Sequence, residues 1–315
     1  MRVLLVAILA FTAARAVAQD VVRLGNLKFA HYGAVSYMKE IAPKYGLRIE
    51  EKIFAKGIDI VPGIISGDID VAASALDAAI AGRAAGAKVF VVAGFSKGGV
   101  RIVGRSDLNL RGIRDLKGRK VGVARGGAQE LCLLAELAKH GLTWSDRPGK
   151  DVQLVYLSYA DLNGALLGKN IDAMSQSEPQ SSQAIAKGFG REILKPYDTP
   201  MGEPVRALVM TEKLYAKRAL AQRVMACFVE ATRTFLANPA LAEKYVRANL
   251  FNGQLTAPEY REAMSNAAFT FDITPQHVQV TTDLMTRLGV GRMARPPKAA
   301  EWVRLDLLAA AKQKR

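Results

Sequence analysis

Two segments of this chain share one pattern, and this repeat constrains the fold more than any other feature of the sequence. Residues 66–72 read SGDIDVA and residues 168–174 read GKNIDAM, so the two segments align without a gap. Each follows a helix-like stretch, turns on small or polar residues and enters a short apolar strand, which a polar segment and another helix follow. In α/β proteins this unit holds ligands at the carboxyl ends of the strands. Two distant copies therefore predict two lobes that face each other across a cleft.

The first 18 residues have the anatomy of a secretory signal peptide. Arg2 supplies a positive charge, residues 3–14 are apolar, and residues 16–18 (AVA) fit the small-x-small cleavage signal before Gln19. The alternative is an N-terminal membrane anchor, but the apolar run is short for a membrane span and Arg15 interrupts it. We therefore expect a leader at residues 1–18 and a soluble, exported mature chain in the periplasm.

The chain carries a large positive charge. Its formal net charge is +15, or +13 without the two arginines of the leader. The basic residues are scattered rather than clustered, and the leader directs the protein away from DNA, so no nucleic acid partner is expected. The positive charge therefore favours attraction either to anionic envelope surfaces or to anionic solutes. Net charge alone does not distinguish between these two interpretations.

Cysteines and histidines are too few to indicate redox or metal chemistry. Cys132 and Cys227 each lie in an apolar helical pattern and fall in different predicted lobes, so we expect two separate buried thiols rather than a disulfide. The three histidines form no H-E-x-x-H motif and the cysteines form no C-x-x-C motif. No metal site and no cofactor are predicted.

The order of the predicted elements gives the domain organisation. Strands alternate with short helices, which favours βαβ units and mostly parallel sheets, and from about residue 205 the chain is almost wholly helical. Hinge connections are predicted near Gly104 and Pro204. The predicted parts are a signal peptide (1–18), a first lobe with a helical tail (19–104 plus 205–315) and a second lobe (105–204).

Several motifs resemble those of one protein family. They are residues 29–33 (FAHYG), residues 64–72 (IISGDIDVA), residues 115–123 (DLKGRKVGV) and residues 238–240 (NPA). Together they make the chain similar to solute-binding proteins of ABC importers, in the nitrate/sulfonate/taurine and thiamine-pyrimidine-precursor branch that includes NMT1-like proteins. The resemblance implies an α/β, two-lobed periplasmic-binding-protein fold (type II) with a helical C-terminal tail. It also implies a monomer that captures a small organic solute by hinge closure and delivers it to a membrane permease.

Ligand contacts are expected where loops follow the strands. Residues 125–129 (RGGAQ) join a strand to a helix, and the glycines let the backbone and the free N–H groups of the first helical turn approach an anionic or acceptor group. A plain turn between a strand and a helix is the alternative. The predicted contacts in this loop are Gly126, Gly127, Ala128 and Gln129.

Glu178 follows the second copy of the repeat and precedes Pro179 at a helix start. Its carboxylate is predicted to accept hydrogen bonds from a ligand amine or amino-heterocycle, and pyrimidine-binding members of the resembled family have an acidic residue before proline here. The alternative is a surface charge that favours the helix N-terminus. A zwitterion or an aminopyrimidine would satisfy both Glu178 and the glycine loop. The other predicted contacts are His31, Tyr32, Ser74, Asp77 and Ser96.

Three other functions fit the sequence less well. Residues 94–98 (GFSKG) match the G-x-S-x-G motif of serine hydrolases, but a β-branched run follows where that motif needs a helix. A ligand-sensing domain of a transcription regulator is disfavoured by the leader and by the lack of a helix-turn-helix segment. An enzyme of the pyrimidine-precursor-synthase kind would need a cysteine- and histidine-rich stretch that the sequence lacks. No enzymatic activity is predicted.

Overall fold

The computed structural model describes residues 19–313, and the leader predicted at residues 1–18 lies outside them. The strands are β1 (Asp20–Leu27), β2 (Leu47–Phe54), β3 (Val71–Ala75), β4 (Val89–Gly98), β5 (Val100–Arg105), β6 (Arg119–Val123), β7 (Trp144–Ser145), β8 (Val152–Tyr156), β9 (Ala173–Ser177), β10 (Gly190–Leu194), β11 (Val205–Thr211) and β12 (Ala267–Phe269). The α-helices are α1 (Gly33–Ile41), α2 (Val61–Ser66), α3 (Leu76–Ala84), α4 (Ala128–Lys139), α5 (Tyr159–Leu167), α6 (Gln180–Ala186), α7 (Glu212–Ala216), α8 (Arg218–Ala237), α9 (Pro239–Tyr245), α10 (Ala257–Ser265), α11 (Pro275–Leu288), α12 (Ala299–Trp302) and α13 (Asp306–Gln313).

These strands form two six-stranded sheets, one in each lobe. The first has the order β12-β4-β11-β3-β1-β2 and the second the order β10-β5-β9-β6-β8-β7. Strands β1, β2 and β3 pair in parallel, as do β6, β7, β8 and β9, whereas β4, β5, β10, β11 and β12 pair antiparallel to their neighbours. The two-lobed α/β prediction is confirmed. The sheets are more mixed than predicted, because the strands on the crossover side of each sheet run antiparallel to their neighbours.

The repeated sequence segment occupies equivalent positions in the two sheets. β3 lies between its parallel neighbour β1 and the antiparallel strand β11, and β9 lies between its parallel neighbour β6 and the antiparallel strand β5. Each repeat therefore leads into the strand that has a parallel neighbour on one side and an antiparallel neighbour on the other.

The chain crosses between the lobes twice. β4 belongs to the first sheet and β5 to the second, so the first crossing falls at Gly98 and Gly99, both at φ +75°, and not at Gly104, which lies inside β5. The return segment, residues 195–204, joins β10 of the second sheet to β11 of the first. The N–H of Gly98 donates to the carbonyl of Pro204 at 3.0 Å, so the two connections lie side by side.

The G-x-S-x-G segment lies within a strand. The sequence predicts a loop at residues 95–97, but β4 continues through Gly98 and pairs with β11 on one side and β12 on the other. The Phe95 side chain is fully buried in the core, and the register of β4 against β11 shifts at this residue, since Ser96 pairs with Arg206 and Gly94 with Ala207. Because a nucleophile elbow requires a sharp strand-to-helix turn, this geometry does not support the serine hydrolase alternative.

The C-terminal part is helical apart from β12, a short strand that the sequence did not reveal. Proline occupies the first turn of α9, α10 and α11, as predicted. Cys132 on α4 and Cys227 on α8 are both free and buried, which confirms the prediction of two separate thiols. Among residues 19–313, no helix has the length and apolar character needed to cross a membrane.

Candidate functional site

A cavity of about 760 Å³ lies between the two lobes at the carboxyl ends of the parallel strands. Its walls include Lys28, Phe29 and Lys56 of the first lobe and Arg125, Tyr159 and Gln180 of the second. We call this space the outer cleft. None of the ten predicted site residues lines it. Three of its lining residues, Lys28, Lys56 and Arg125, are basic. Residues of both lobes line the outer cleft, and its basic side chains favour the entry of an anionic solute.

An aromatic contact closes the inner end of the outer cleft. Phe29 of the first lobe meets Tyr159 of the second edge-to-face, with ring centroids 5.3 Å apart, and stacks on His31 at 5.9 Å. The Tyr159 hydroxyl donates to Oε1 of Gln129 at 2.8 Å. A Cβ on Gly127 would lie 2.0 Å from the Tyr159 hydroxyl oxygen, so this close approach requires glycine. The lobes therefore touch through Phe29 and Tyr159.

Behind this contact lies a group of buried polar residues that we call the inner cluster: His31, Tyr32, Asp77, Ser96 and Arg206. All are at most 3% exposed. Both ring nitrogens of His31, Oδ1 of Asp77, Oγ of Ser96 and Nη2 of Arg206 have no hydrogen-bond partner. Leaving a buried polar atom unpaired costs about 1–3 kcal/mol, and more for a charged group. Unpaired groups of this kind mark a place that a polar ligand or ordered water would fill.

The elements that position the inner cluster come from the centre of the molecule. His31 and Tyr32 follow β1, and Asp77 lies in the first turn of α3, directly after β3. Ser96 and Arg206 are paired neighbours on the antiparallel strands β4 and β11. The sequence brings these residues together because each follows, or lies on, a central strand of the first sheet.

Burial sets the charge state of the inner cluster. Burial lowers the pKa of His31 well below its ordinary value, and the charge of Arg206 lowers it further, so His31 is neutral at pH 7. Burial raises the pKa of Asp77 to about 6, and the nearby Arg206 opposes this rise. Burial also raises the pKa of Tyr32 to about 12. At neutral pH the cluster thus contains one buried cation and one buried carboxylate.

The glycine loop after β6 is built largely by its own lobe. The Gly126 N–H donates to Oε2 of Glu130 at 2.7 Å, and Gly126 has a φ of +75°, which favours glycine. Ala128 packs in an apolar cluster with Cys132 and Val100 of its own lobe and with Ala75 and Ala78 of the first lobe. Of the four residues predicted in this loop, Gly127 and Gln129 contact Tyr159, and so lie beside the lobe-to-lobe contact.

Two predicted residues lie apart from the inner cluster. The Ser74 hydroxyl donates to the carbonyl of Ala75 at 3.0 Å and faces a small apolar space inside the first lobe. Glu178 is fully buried, and both of its carboxylate oxygens are engaged. Oε1 accepts from Nε of Arg101 at 2.8 Å and from Asn266 at 2.9 Å, and Oε2 accepts from the N–H and the hydroxyl of Ser182 at 3.1 and 2.6 Å. This geometry does not support a Glu178 contact with a ligand amine, because protein donors already occupy the carboxylate.

Sequence reasoning missed Arg206 and Arg101, and each carries a recognisable signal. Both are single charges inside strands that are otherwise apolar, VRALVMT and VRIVGR. Charged residues are almost never fully buried without a specific partner, so an arginine at such a position indicates an ion pair or a ligand. Arg101 has ion pairs with Glu178, Glu192 and Glu262. Nη2 has no hydrogen-bond partner in either arginine, but among the described residues only Arg101 of the two has carboxylates within ion-pair distance.

Comparisons with known proteins agree with this architecture. The chain is 32% identical over 124 residues to an Escherichia coli (strain K12) protein named for binding aliphatic sulfonates, and the match covers 39% of this chain and 36% of that protein. The chain thus matches about a third of that relative's length. Solved structures cover far more of the chain. The alkanesulfonate-binding protein SsuA from Xanthomonas axonopodis pv. citri bound to MOPS gives a TM-score of 0.75 at 20% identity, covering 91% of this chain and 98% of that one.

A second solved structure belongs to a protein named for a different ligand. The periplasmic nitrate-binding protein NrtA from Synechocystis PCC 6803 gives a TM-score of 0.74 at 17% identity, covering 94% of this chain and 89% of that one. These similarities confirm the predicted periplasmic-binding-protein fold. The model of the NMT1-like family matches residues 18–249, most of the chain. The chain belongs to the NMT1-like family.

Proposed function

We propose that this protein is the extracytoplasmic solute-binding component of an ABC importer, which captures a small organic solute between its two lobes. The observation that carries the proposal is the inner cluster, where buried polar atoms lack partners behind a contact between the lobes. The names of its relatives, which refer to sulfonate and nitrate binding, support the same role. In this proposal the protein is a periplasmic monomer that delivers its solute to a membrane permease and catalyses no reaction.

The mechanism follows from the position of the cluster. A solute that contacts Arg206 of the first lobe and Gln129 or Tyr159 of the second stabilises the closed arrangement over the open one. A ligand shifts a conformational equilibrium only through such a difference in affinity. Rotation about the paired connections at Gly98 and Pro204 would part Phe29 from Tyr159 and open the inner cluster to the outer cleft. The solute would enter through the outer cleft, past its basic walls.

Arg206 is the group that we propose as the main anchor. Arg206 is 1% exposed, its Nη1 donates to the carbonyl of Pro204 at 3.1 Å, and its Nη2 has no hydrogen-bond partner and can donate to a ligand. A hydrogen bond to a charged group contributes about 1.5–3 kcal/mol, and more where water is excluded. Such an anchor selects a sulfonate, carboxylate or similar anionic group.

The test combines identification and titration. Native mass spectrometry of freshly purified protein should show a retained small anion or zwitterion. Calorimetric titration with ethanesulfonate, MOPS and nitrate should give binding of at least one of them, and Arg206→Gln should weaken that binding roughly 100-fold. Arg191→Gln, which removes an exposed arginine from the edge strand β10, is the matched control and should bind normally. Equal affinity in Arg206→Gln and the wild type would contradict the proposed site.

A further inference from the structure

One residue of the helical tail contacts both connections between the lobes. Asn266 lies between α10 and β12 and is 4% exposed. Its carbonyl accepts from the N–H of Gly99 in the first connection at 2.7 Å, and its Oδ1 accepts from the hydroxyl of Tyr197 in the return segment at 2.8 Å. A Cβ on Gly98 would lie 2.4 Å from the Asn266 carbonyl oxygen, so this close approach requires glycine. Asn266 therefore ties both crossing segments to the tail.

The same part of the tail also reaches the second lobe. Nδ2 of Asn266 donates to Oε1 of Glu178 at 2.9 Å, and Glu262 of α10 pairs with Nη1 of Arg101 at 2.9 Å. α10 also packs against α6 of the second lobe. Because β12 belongs to the first sheet, these contacts join the two lobes. We call residues 257–269 the clasp.

The ion pairs of Arg101 join one nitrogen to a carboxylate of each lobe. Nη1 of Arg101 pairs at 2.9 Å both with Glu262 of the clasp and with Glu192 on β10 of its own lobe. Arg101 follows Gly99 by two residues, so rotation at Gly99 moves its side chain relative to α10. Glu192 moves together with Arg101, since both lie in the second sheet. Opening of the lobes thus changes the contact with Glu262 and leaves the contact with Glu192 intact.

We infer that Glu262 and Asn266 are positioning residues, which hold the lobes in the closed arrangement through the clasp without contacting the solute. The inference rests on the proposed capture of a solute by hinge closure. Neither residue lines the outer cleft or belongs to the inner cluster. Contacts made only in the closed arrangement raise its population, and the apparent affinity for a solute rises with the population of the state that binds it.

The first measurement compares Glu262→Gln with Glu192→Gln in the solute-free protein. Each change removes one partly exposed ion pair from the same nitrogen, so the two variants are matched in chemistry. Spin labels at Ala55→Cys and Ala160→Cys, exposed positions that line the outer cleft in the first and second lobes, report the width of the cleft. Glu262→Gln should shift the distance distribution to longer values, and Glu192→Gln should leave it unchanged.

The second measurement is calorimetric titration of the unlabelled variants with ethanesulfonate, MOPS and nitrate. An anion that binds the wild type should bind Glu262→Gln about 3- to 10-fold more weakly and Glu192→Gln within about 2-fold of the wild type. The melting temperatures of the two variants should be similar, because each loses a comparable ion pair.

Asn266→Ser tests the other half of the clasp. It keeps the main-chain acceptor for Gly99 and removes the side-chain hydrogen bonds to Tyr197, Val100 and Glu178. The cleft should widen at least as much as in Glu262→Gln. If this variant does not fold, the comparison of Glu262→Gln with Glu192→Gln still decides the inference.

Two results would overturn the inference. Equal effects of Glu262→Gln and Glu192→Gln on cleft width and affinity would assign Glu262 a merely structural role. An unchanged or narrower cleft in Glu262→Gln would show that the clasp does not favour closure. The width measurement needs no solute, so it decides the inference even if none of the three anions binds. Failure to find any retained or bound solute would instead contradict the proposed function.

Discussion

Asp70 and Asp172 make the same backbone contacts in the two lobes. The Asp70 carboxylate accepts from the N–H of Arg23 at 3.0 Å, and the Asp172 carboxylate accepts from the N–H of Lys120 at 3.0 Å. Their own N–H groups donate back to the carbonyls of Arg23 and Lys120 at 2.9 and 2.8 Å. Each aspartate thus ties the start of the repeated strand to its parallel neighbour. This shared contact explains why an Ile-Asp pair stands at the same place in both copies of the repeat.

Replacing either aspartate should destabilise its lobe. Asp172→Ala removes an acceptor from a backbone N–H and should lower the free energy of unfolding by about 1.5–3 kcal/mol. Asp70→Ala should cost at least as much, because Arg23 also donates two side-chain hydrogen bonds to Asp70. Denaturant unfolding measures both. Asp146→Ala, at an exposed loop position with one long contact to Arg125, is the control and should change stability by less than about 0.5 kcal/mol.

Loss of the Arg101–Glu178 ion pair should lower the stability of the protein more than its affinity for solute. Glu178→Ala leaves Nε of Arg101, which is 3% exposed, and the Asn266 amide without their buried acceptor, while Glu192 and Glu262 still pair with Nη1 of Arg101. The change should cost about 2–3 kcal/mol of stability. A charge that merely complemented a helix end would cost about 0.3–1 kcal/mol. Thermal and denaturant unfolding separate these values. The double variant Arg101→Met/Glu178→Met should regain much of the loss, and a double variant no more stable than Glu178→Ala would argue against a buried charge as the cause.

Gly127→Ala should impair closure without unfolding the protein. The residue has φ −141°, which any residue adopts, but the added Cβ would collide with the Tyr159 hydroxyl oxygen. We expect at least about 10-fold weaker solute binding, which corresponds to about 1.4 kcal/mol, with a near-normal melting temperature. Tyr159→Phe in the same chain removes that oxygen and should restore part of the affinity. Gly164→Ala, at a helical position with open space, is the control and should bind normally.

Asp77 should make stability depend on pH. Its pKa is raised from an ordinary 3.8 to about 6, so between those values the folded state binds more protons than the unfolded state. Stability therefore falls as pH rises from about 4 to 6, by up to about 3 kcal/mol from this group. His31 acts oppositely, because its lowered pKa means that stability is lost as pH falls below 6.5. The measurement is thus the difference in unfolding free energy between wild type and Asp77→Asn across pH 4–7.5, and a constant difference would contradict the raised pKa.

Solute binding should also compact the molecule. Closing the lobes about Gly98 and Pro204 reduces the radius of gyration, which small-angle scattering measures with and without a saturating solute. An unchanged radius would indicate that the site does not open by a hinge motion.

The amino-acid sequence by itself determined the class of fold and much of its layout. The alternation of apolar strands with short helices, the proline-marked helix starts and the Ile-Asp repeat depend on local patterns, which the backbone follows directly. The same patterns placed His31, Tyr32 and Asp77 after central strands, where the structure gathers them. The Gly104 boundary and the loop at residues 95–97 were misplaced, since an apolar strand and an apolar crossover look alike along the chain.

Only the tertiary structure decided which polar groups have partners. Glu178 and Asp77 are both carboxylates after equivalent strands, yet Arg101 and Asn266 donate to Glu178, whereas Oδ1 of Asp77 has no hydrogen-bond partner. Residues distant along the chain supply those donors, and no local pattern reports their distance. Arg206 shows the same limit. Its charge within an apolar strand was visible in the sequence, but its free Nη2 depends on what packs around it. Burial and pairing are properties of the assembled core, and they decide where a ligand binds.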